Sequence, residues 1–234
     1  MTDVLEVKAL EAGYGPSQVL FGPSLSVEAG EVVSLMGRNG MGKSTLIRCI
    51  MGLLPVRAGE IHLFRNRING WPSNRIARLG VGLIPEGRQI FRLLNVEENL
   101  LATARMSPGC KWTPDSVYEL FPILQERALQ PAITLSGGEQ QMLSIGRALL
   151  TNPSLLIFDE ATEGLAPLAR RQIWECIKRL KQAGLSILLI DKNLAELLEL
   201  ASRHYILDKG EVVWSGSSAA LAADSALAQT YLGL

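Results

Sequence analysis

Apolar positions along this chain fall into short runs of two kinds. Some are continuous: Glu31-Val-Val-Ser-Leu-Met36, Leu79-Gly-Val-Gly-Leu-Ile84, Leu155-Leu-Ile-Phe158 and Leu185-Ser-Ile-Leu-Leu-Ile190. Such runs predict strands buried on both faces. Others alternate: Leu5 to Leu10 and Ser24-Leu-Ser-Val27, separated by the turn residues Gly13-Tyr14-Gly15-Pro16. These predict a small antiparallel layer at the N-terminal end, to which Gly59-Glu-Ile-His-Leu-Phe64 returns with His62 on its polar face, before a turn at Asn69-Gly70.

Between the continuous runs the spacing becomes helical. Leu46-Ile-Arg-Cys-Ile-Met51 predicts a helix packed on a sheet. Asn95-Val-Glu-Glu98 is a capping box opening a helix through Leu100 to Ala104, and Thr113-Pro-Asp opens another through Leu120. Ser136 and Glu139 form a further capping box, followed by Met142, Ile145 and Leu149 at helical spacing. Residues from about 87 to 150 therefore read as a helical insertion between strands, with Ser107-Pro-Gly109 as a connecting loop. A basic amphipathic helix follows from about Arg170 to Gln182, closed by Gly184, with Trp174 and Ile177 in the core. Asn193-Leu-Ala-Glu196 is expected to cap a Leu-rich helix. Tyr205 to Trp214 reads as a hairpin, and Ala219 to Leu234 as a terminal helix. The whole is an α/β pattern, taken as one domain over residues 4–234.

Composition narrows this reading. A chain of 234 residues with 47% hydrophobic content can fill a sizeable core. Lys+Arg 23 against Asp+Glu 23 gives formal net charge +0, which argues against a general nucleic-acid binder. Cys49, Cys110 and Cys176 lack metal-ligand spacing and are expected to be reduced thiols. The stretch Met1 to Lys8 lacks a basic region followed by an apolar run, so no secretory signal is expected. The longest apolar runs fall far short of the ~20 residues a spanning helix needs, so a membrane role is expected to pass through a partner.

The most specific chemistry lies between the run Glu31 to Met36 and the helix that follows it. Gly37-Arg38-Asn39-Gly40-Met41-Gly42-Lys43-Ser44-Thr45 fits the phosphate-loop pattern G-x-x-x-x-G-K-[ST] without mismatch. Gly40 and Gly42 let the backbone approach a phosphate, Lys43 supplies a cation for the β/γ-phosphates, and the Ser44 hydroxyl can sit on Mg²⁺. Asp159 and Glu160 end a fully apolar strand. If that strand neighbours the loop's own strand, Asp159 is placed to hold Mg²⁺ and Glu160 to orient the attacking water. Pro85-Glu86-Gly87-Arg88 ends another strand, where α/β proteins bind ligands, and Lys192 ends the last one, within reach of a γ-phosphate. The paired glycines Gly137 and Gly138 after Ser136 expose amides at a helix start: a second anion site or only a glycine-bearing cap. Tyr14 serves equally as a base-stacking platform or a surface side chain.

At Leu135-Ser-Gly-Gly-Glu-Gln140 the chain resembles the ATP-binding cassette (ABC) ATPases. Phosphate loop, Pro85-Glu86 loop, this signature, Asp159-Glu160 and Asp191-Lys192 stand in that family's order. Pro85 to Arg88, Val96 to Leu100, Glu119 to Pro122, Gly137 to Leu143, Gly164 to Pro167 and Tyr231 to Gly233 resemble more narrowly the LivF-type ATPases of branched-chain amino acid importers. The resemblance implies a P-loop NTPase, RecA-like core, with the antiparallel layer and a helical signature subdomain as additions. It implies that two cassettes close head to tail on two ATP molecules, so that Ser136, Gly137 and Gly138 meet the partner's γ-phosphate, and it makes Tyr14 the adenine-stacking aromatic. Its implied partners are a second ATPase, LivG-like or identical, two integral permease subunits and, indirectly, a periplasmic binding protein, at the cytoplasmic face of the inner membrane.

Three positions depart from the general family pattern. Glu86 stands where most members carry a glutamine that contacts Mg²⁺ or water, although LivF-like chains share the glutamate. Lys192 stands where many carry a histidine that meets the γ-phosphate, and Ala161-Thr162-Glu163 replaces a proline-led run. The expected function is Mg-ATP hydrolysis coupled to uptake of branched-chain amino acids, with Glu160, Lys43 and Lys192 catalytic. The alternatives are import of another solute such as urea or amides, a soluble ABC ATPase without a transporter, or a regulatory subunit that does not hydrolyse.

Overall fold

Two sheets of opposite character organise the chain in the computed structural model, which describes residues 3–232. The first is antiparallel. β1 (Asp3–Tyr14) carries β2 (Ser17–Phe21) and β3 (Leu25–Glu28) on one edge and β5 (Val56–Leu63), extended by β6 (Asn66–Arg67), on the other. One strand serves two partners on the same edge because it bends midway: Ala9 is left-handed at φ 42 and the register slips between Ala12 and Gly13. The sequence pattern does not reveal β2, since its apolar content is confined to Val19, Leu20 and Phe21.

The second sheet runs β11-β10-β4-β9-β8-β7. Here β4 (Val32–Met36), β7 (Val81–Ile84), β8 (Leu155–Asp159), β9 (Ser186–Ile190) and β10 (Arg203–Asp208) are parallel, and β11 (Glu211–Ser217) closes one edge antiparallel to β10. Every residue of β4, β8 and β9 is buried, as their unbroken apolar runs require. Alternate side chains feed two cores. Val33, Leu35, Ile157 and Leu188 pack towards α1 (Lys43–Ile50) and the antiparallel sheet, whereas Val32, Met36, Phe158 and Leu189 pack towards the helices on the other face.

Those helices include α3 (Val96–Leu101), α4 (Pro114–Leu120), α5 (Pro122–Glu126), α6 (Gly137–Leu149), α7 (Pro167–Gln182) and α8 (Leu194–Leu200). The capping boxes expected at Asn95 and Ser136 are formed, and Thr113 forms one with Ser116. Buried Val96, Leu100, Val117 and Leu124 of the helical excursion join the same core as Phe158 and Ile187 of the sheet. Trp174 and Ile177 are buried, as their spacing predicts.

Three expectations are corrected. The loop strand β4 and the acidic strand β8 are not neighbours, because β9 runs between them. Asn193 occupies the cap position of α8 without a side-chain bond; Asp191 Oδ1 instead closes the turn ahead of the helix, accepting from the amides of Lys192 at 2.8 Å and Asn193 at 3.0 Å. The C-terminal segment is not one helix. α9 (Ser218–Ala223) stops where Asp224 turns its Oδ1 to the amides of Ala226 and Leu227 and starts a new turn. Leu234, the end assigned to that helix, lies outside the described residues, as does Gly233 of the Tyr231 to Gly233 stretch.

A buried polar relay ties the C-terminal segment to the sheet. His204, fully buried, lies 2.7 Å from Ser34 Oγ and 2.8 Å from Ser218 Oγ, which itself donates to Ala201 O at 2.6 Å. Since Ser218 spends its proton on that carbonyl, His204 donates from Nε2 and accepts at Nδ1 from Ser34: the neutral ring satisfies both partners, and a proton added at Nδ1 would force the Ser34 hydroxyl to turn its own proton away. Burial accordingly pushes the His204 pKa down to about 4. The unfolded chain then binds more protons between about pH 6.5 and 4, so this stabilisation is complete above that window and is lost as pH falls through it, on the order of 3 kcal/mol. Thermal unfolding midpoints measured from pH 7 to pH 4 are expected to fall over that range, and His204→Gln, whatever its absolute stability, is expected to flatten the slope.

Candidate functional site

The carboxyl ends of β4, β8 and β9 converge, and the segments leaving them build the site. The loop between β4 and α1 takes its course because three glycines stand where side chains are excluded or strained. Gly37 has φ 142, and a Cβ there would lie 2.2 Å from Leu207 O; Gly40 and Gly42 are left-handed at φ 79 and φ 104. Gly42 caps α1 without a side-chain bond, leaving the first helix amides to an incoming anion. Met41 fixes the loop to the β10–β11 turn, its carbonyl accepting from Gly210 N at 3.0 Å.

Lys43 is buried and folds back into its own loop. Its Nζ donates to Gly37 O at 2.8 Å and Arg38 O at 3.0 Å, and stands 3.5 Å from Glu160 Oε1. Ser44 Oγ donates to Asp159 Oδ1 at 3.4 Å. The loop strand and the acidic strand thus meet through their ends although β9 separates them. Arg38, Asn39 and Gly40 are exposed at the loop's outer turn, and Thr45 is buried beneath it.

The two carboxylates occupy different environments. Asp159, the last residue of β8, is buried; desolvation raises its pKa, the negative charge of Glu86 adds to the rise, and the Ser44 hydroxyl opposes it. Glu160, one residue further, is left-handed at φ 53, an uncommon conformation for a side chain of this size and one that active sites store. Burial, then a hydrogen bond with Glu163, pushes the Glu160 pKa up to about 7 against the pull of Lys43 and Lys192.

Lys43, Ser44 and Glu160 line a cleft of about 250 Å³ together with Asn39, Gly40, Gly42, Thr45 and Glu86, and Asp159 stands behind it on Ser44. Val19 of β2 completes it, a residue invisible to motif reading because β2 itself carries no signal. A second cavity of about 360 Å³ adjoins at Glu160 and is lined by Thr162, Glu163, Arg170, Asp191 and Lys192 among others. Lys192 does not point into the phosphate cleft; its Nζ pairs with Glu163 Oε1 at 2.6 Å and lies 3.8 Å from Glu160 Oε2. Tyr14, 44% exposed at the end of β1, lies outside the cleft lining, as do Ser136, Gly137 and Gly138. Ser136 Oγ accepts from Glu139 N and Glu139 Oε2 accepts from Ser136 N at 2.7 Å, while the Arg88 guanidinium abuts Gly137. The two glycine-bearing helix starts therefore do not share a cleft.

Arg147 of α6, which the motifs do not mark, clasps the segment after Glu86: its Nη2 donates to Gln89 O at 2.7 Å and its guanidinium covers the Phe91 ring at 4.5 Å. No helix of the described residues is long and apolar enough to cross a membrane.

Residues 20–163 match the family described as ABC transporter. The chain is 42% identical to the high-affinity branched-chain amino acid transport ATP-binding protein BraG of Pseudomonas aeruginosa, covering 94% of this chain and 95% of that one. It is 33% identical to the lipopolysaccharide export system ATP-binding protein LptB of Escherichia coli K12, covering 98% of this chain and 97% of that one. Among solved structures it is similar to the ADP conformation of an ATP-binding cassette of an ABC transporter, with TM-score 0.83, 26% identity and coverage of 98% of each chain.

Because the raised Glu160 carboxyl takes up a proton on folding near neutral pH, ionising it costs folding free energy above its folded value and none below the ordinary carboxylate range. Glu160→Gln is expected to gain thermal stability relative to the parent as pH rises from 5 to 8. An unchanged difference in melting temperature across that range would contradict the burial argument.

Proposed function

From the chain's membership of the ABC transporter family of ATP-binding proteins, with the ATP hydrolysis that family carries out, we propose that it drives import of branched-chain or related amino acids. The observation that carries the hydrolytic reading is the buried Lys43–Glu160 contact at 3.5 Å, which places a candidate base against the cation of the phosphate loop. The likeness to the branched-chain amino acid protein BraG supports the substrate class, whereas the likeness to the export protein LptB shows that the same fold serves another cargo in a relative.

In this reading Lys43 and the amides from Gly37 to Thr45 hold the β- and γ-phosphates, their charge and orientation supplied before substrate arrives. Glu160 takes the proton of the attacking water; a carboxyl lifted towards neutrality by burial is a better proton acceptor than an exposed one. Glu86 lies on the far wall of the same cleft. Tyr14 is assigned to the adenine, and Lys192 to the terminal phosphate. Mg²⁺ fits the donor set: Ser44 and Asp159, which would hold it, present one hydroxyl and one desolvated carboxylate, both hard oxygen ligands. When bound, the ion supplies charge neutralisation for the transferring phosphoryl group.

Ser136, Gly137 and Gly138 are assigned to the nucleotide of a second cassette, since they stand apart from this chain's own cleft. That partner is a LivG-like subunit or a second copy. The cassettes sit on the cytoplasmic side of the inner membrane against two integral permeases, which a periplasmic binding protein serves from the opposite side. Glu160→Gln in the purified transporter complex is expected to retain ATP binding and lose turnover by roughly 10²–10⁴-fold, whereas Lys43→Ala is expected to lose both. Near-parental turnover of Glu160→Gln, followed by phosphate release, would remove Glu160 from the role of base. Uptake of radiolabelled leucine by vesicles carrying the complex tests the cargo.

A further inference from the structure

The loops after β8 and β9 carry the two departures from the general family pattern on this side of the site, and the structure puts them in contact. Lys192 Nζ lies 2.6 Å from Glu163 Oε1, and the same two loops are tied a second time where Thr162 Oγ1 donates to Asp191 Oδ2 at 2.6 Å. The pair stands at the rim of the 360 Å³ cavity, and Glu160 is the residue common to that cavity and to the phosphate cleft. Lys192 and Glu163 are 47% and 50% exposed, so solvent leaves the pair weak enough to exchange partners.

A lysine brings a permanent charge on a flexible four-carbon stem. Beside Lys43 it is a second ammonium within 4 Å of Glu160, and one carboxylate cannot balance two cations. Glu163 supplies the missing negative charge. Its position also decides where the stem points, because an ammonium held at 2.6 Å by Glu163 is not free to meet a phosphate with the same donors.

We propose that Glu163 is a positioning residue that parks the Lys192 ammonium at the cavity rim, and that a γ-phosphate in the Lys43 loop must draw Lys192 off Glu163. The device distinguishes a nucleoside triphosphate from a diphosphate, since only the former has oxygens at the γ position to compete for Lys192. It rests on the assignment of Lys192 to the terminal phosphate.

Dissociation constants for ATP and ADP, measured by calorimetry on the full chain with a chelator and no magnesium, test this without turnover. Glu163→Gln is expected to bind ATP roughly two- to five-fold more tightly, the range an exposed ion pair allows, with ADP unchanged. Glu163→Asp is expected to keep the parental values. Lys192→Gln is expected to weaken ATP selectively, and the Glu163→Gln gain is expected to vanish in the double variant. If Glu163→Gln leaves ATP binding unchanged, or tightens ATP and ADP alike, while Lys192→Gln still weakens ATP alone, the parking role is wrong and the phosphate assignment stands. If Lys192→Gln affects ATP and ADP equally, both are overturned.

Discussion

A buried ammonium is the constraint from which this site follows. Lys43 is 5% exposed, and a charge at that depth must be met by several acceptors. Two of them, the carbonyls of Gly37 and Arg38, come from the loop that wraps it, so the lysine moulds the backbone curve that also aims the helix amides outward. The third, Glu160, comes from the end of another strand. A loop that satisfies its own cation in this way is shaped before any phosphate arrives, which lowers the cost of binding one.

The same constraint explains the division between two adjacent carboxylates. Asp159 still belongs to β8 and inherits the strand's burial; Glu160 has left it, and its left-handed backbone turns the side chain towards Lys43. Neighbouring positions thereby acquire different surroundings, one beside the Ser44 hydroxyl and the other between two ammonium groups. A strand end followed by a strained residue is how α/β sheets present several functional groups at one edge, and the position of β9 between β4 and β8 costs nothing because the segments beyond the strands lean together.

The helical excursion is built on the opposite principle. It shares the sheet's core through Leu100, Val117 and Leu124, and Arg147 binds its longest helix to the segment after Glu86. Yet the Ser136 helix start stays out of the Lys43 cleft. Sheet and excursion are thus mechanically connected while the Lys43 loop and the Ser136 helix start remain separate. Relatives named for amino acid transport and for lipopolysaccharide export share this framework at 42% and 33% identity, which is consistent with cargo choice lying in other subunits.

By itself the sequence determined the elements whose signals are local. The unbroken apolar runs of β4, β8 and β9, the capping boxes at Asn95 and Ser136, and the glycine spacing of the phosphate loop all act over a few residues, so they are legible without neighbours. Tertiary structure decided what depends on long-range pairing. It alone inserts β9 between β4 and β8, brings Val19 of an unmarked strand to the cleft, leaves α8 without a side-chain cap, and turns Lys192 onto Glu163. The reason is that charges choose partners across space: an ammonium on a flexible stem goes to whichever carboxylate the folded loops bring within reach, and no spacing along the chain encodes which one that is.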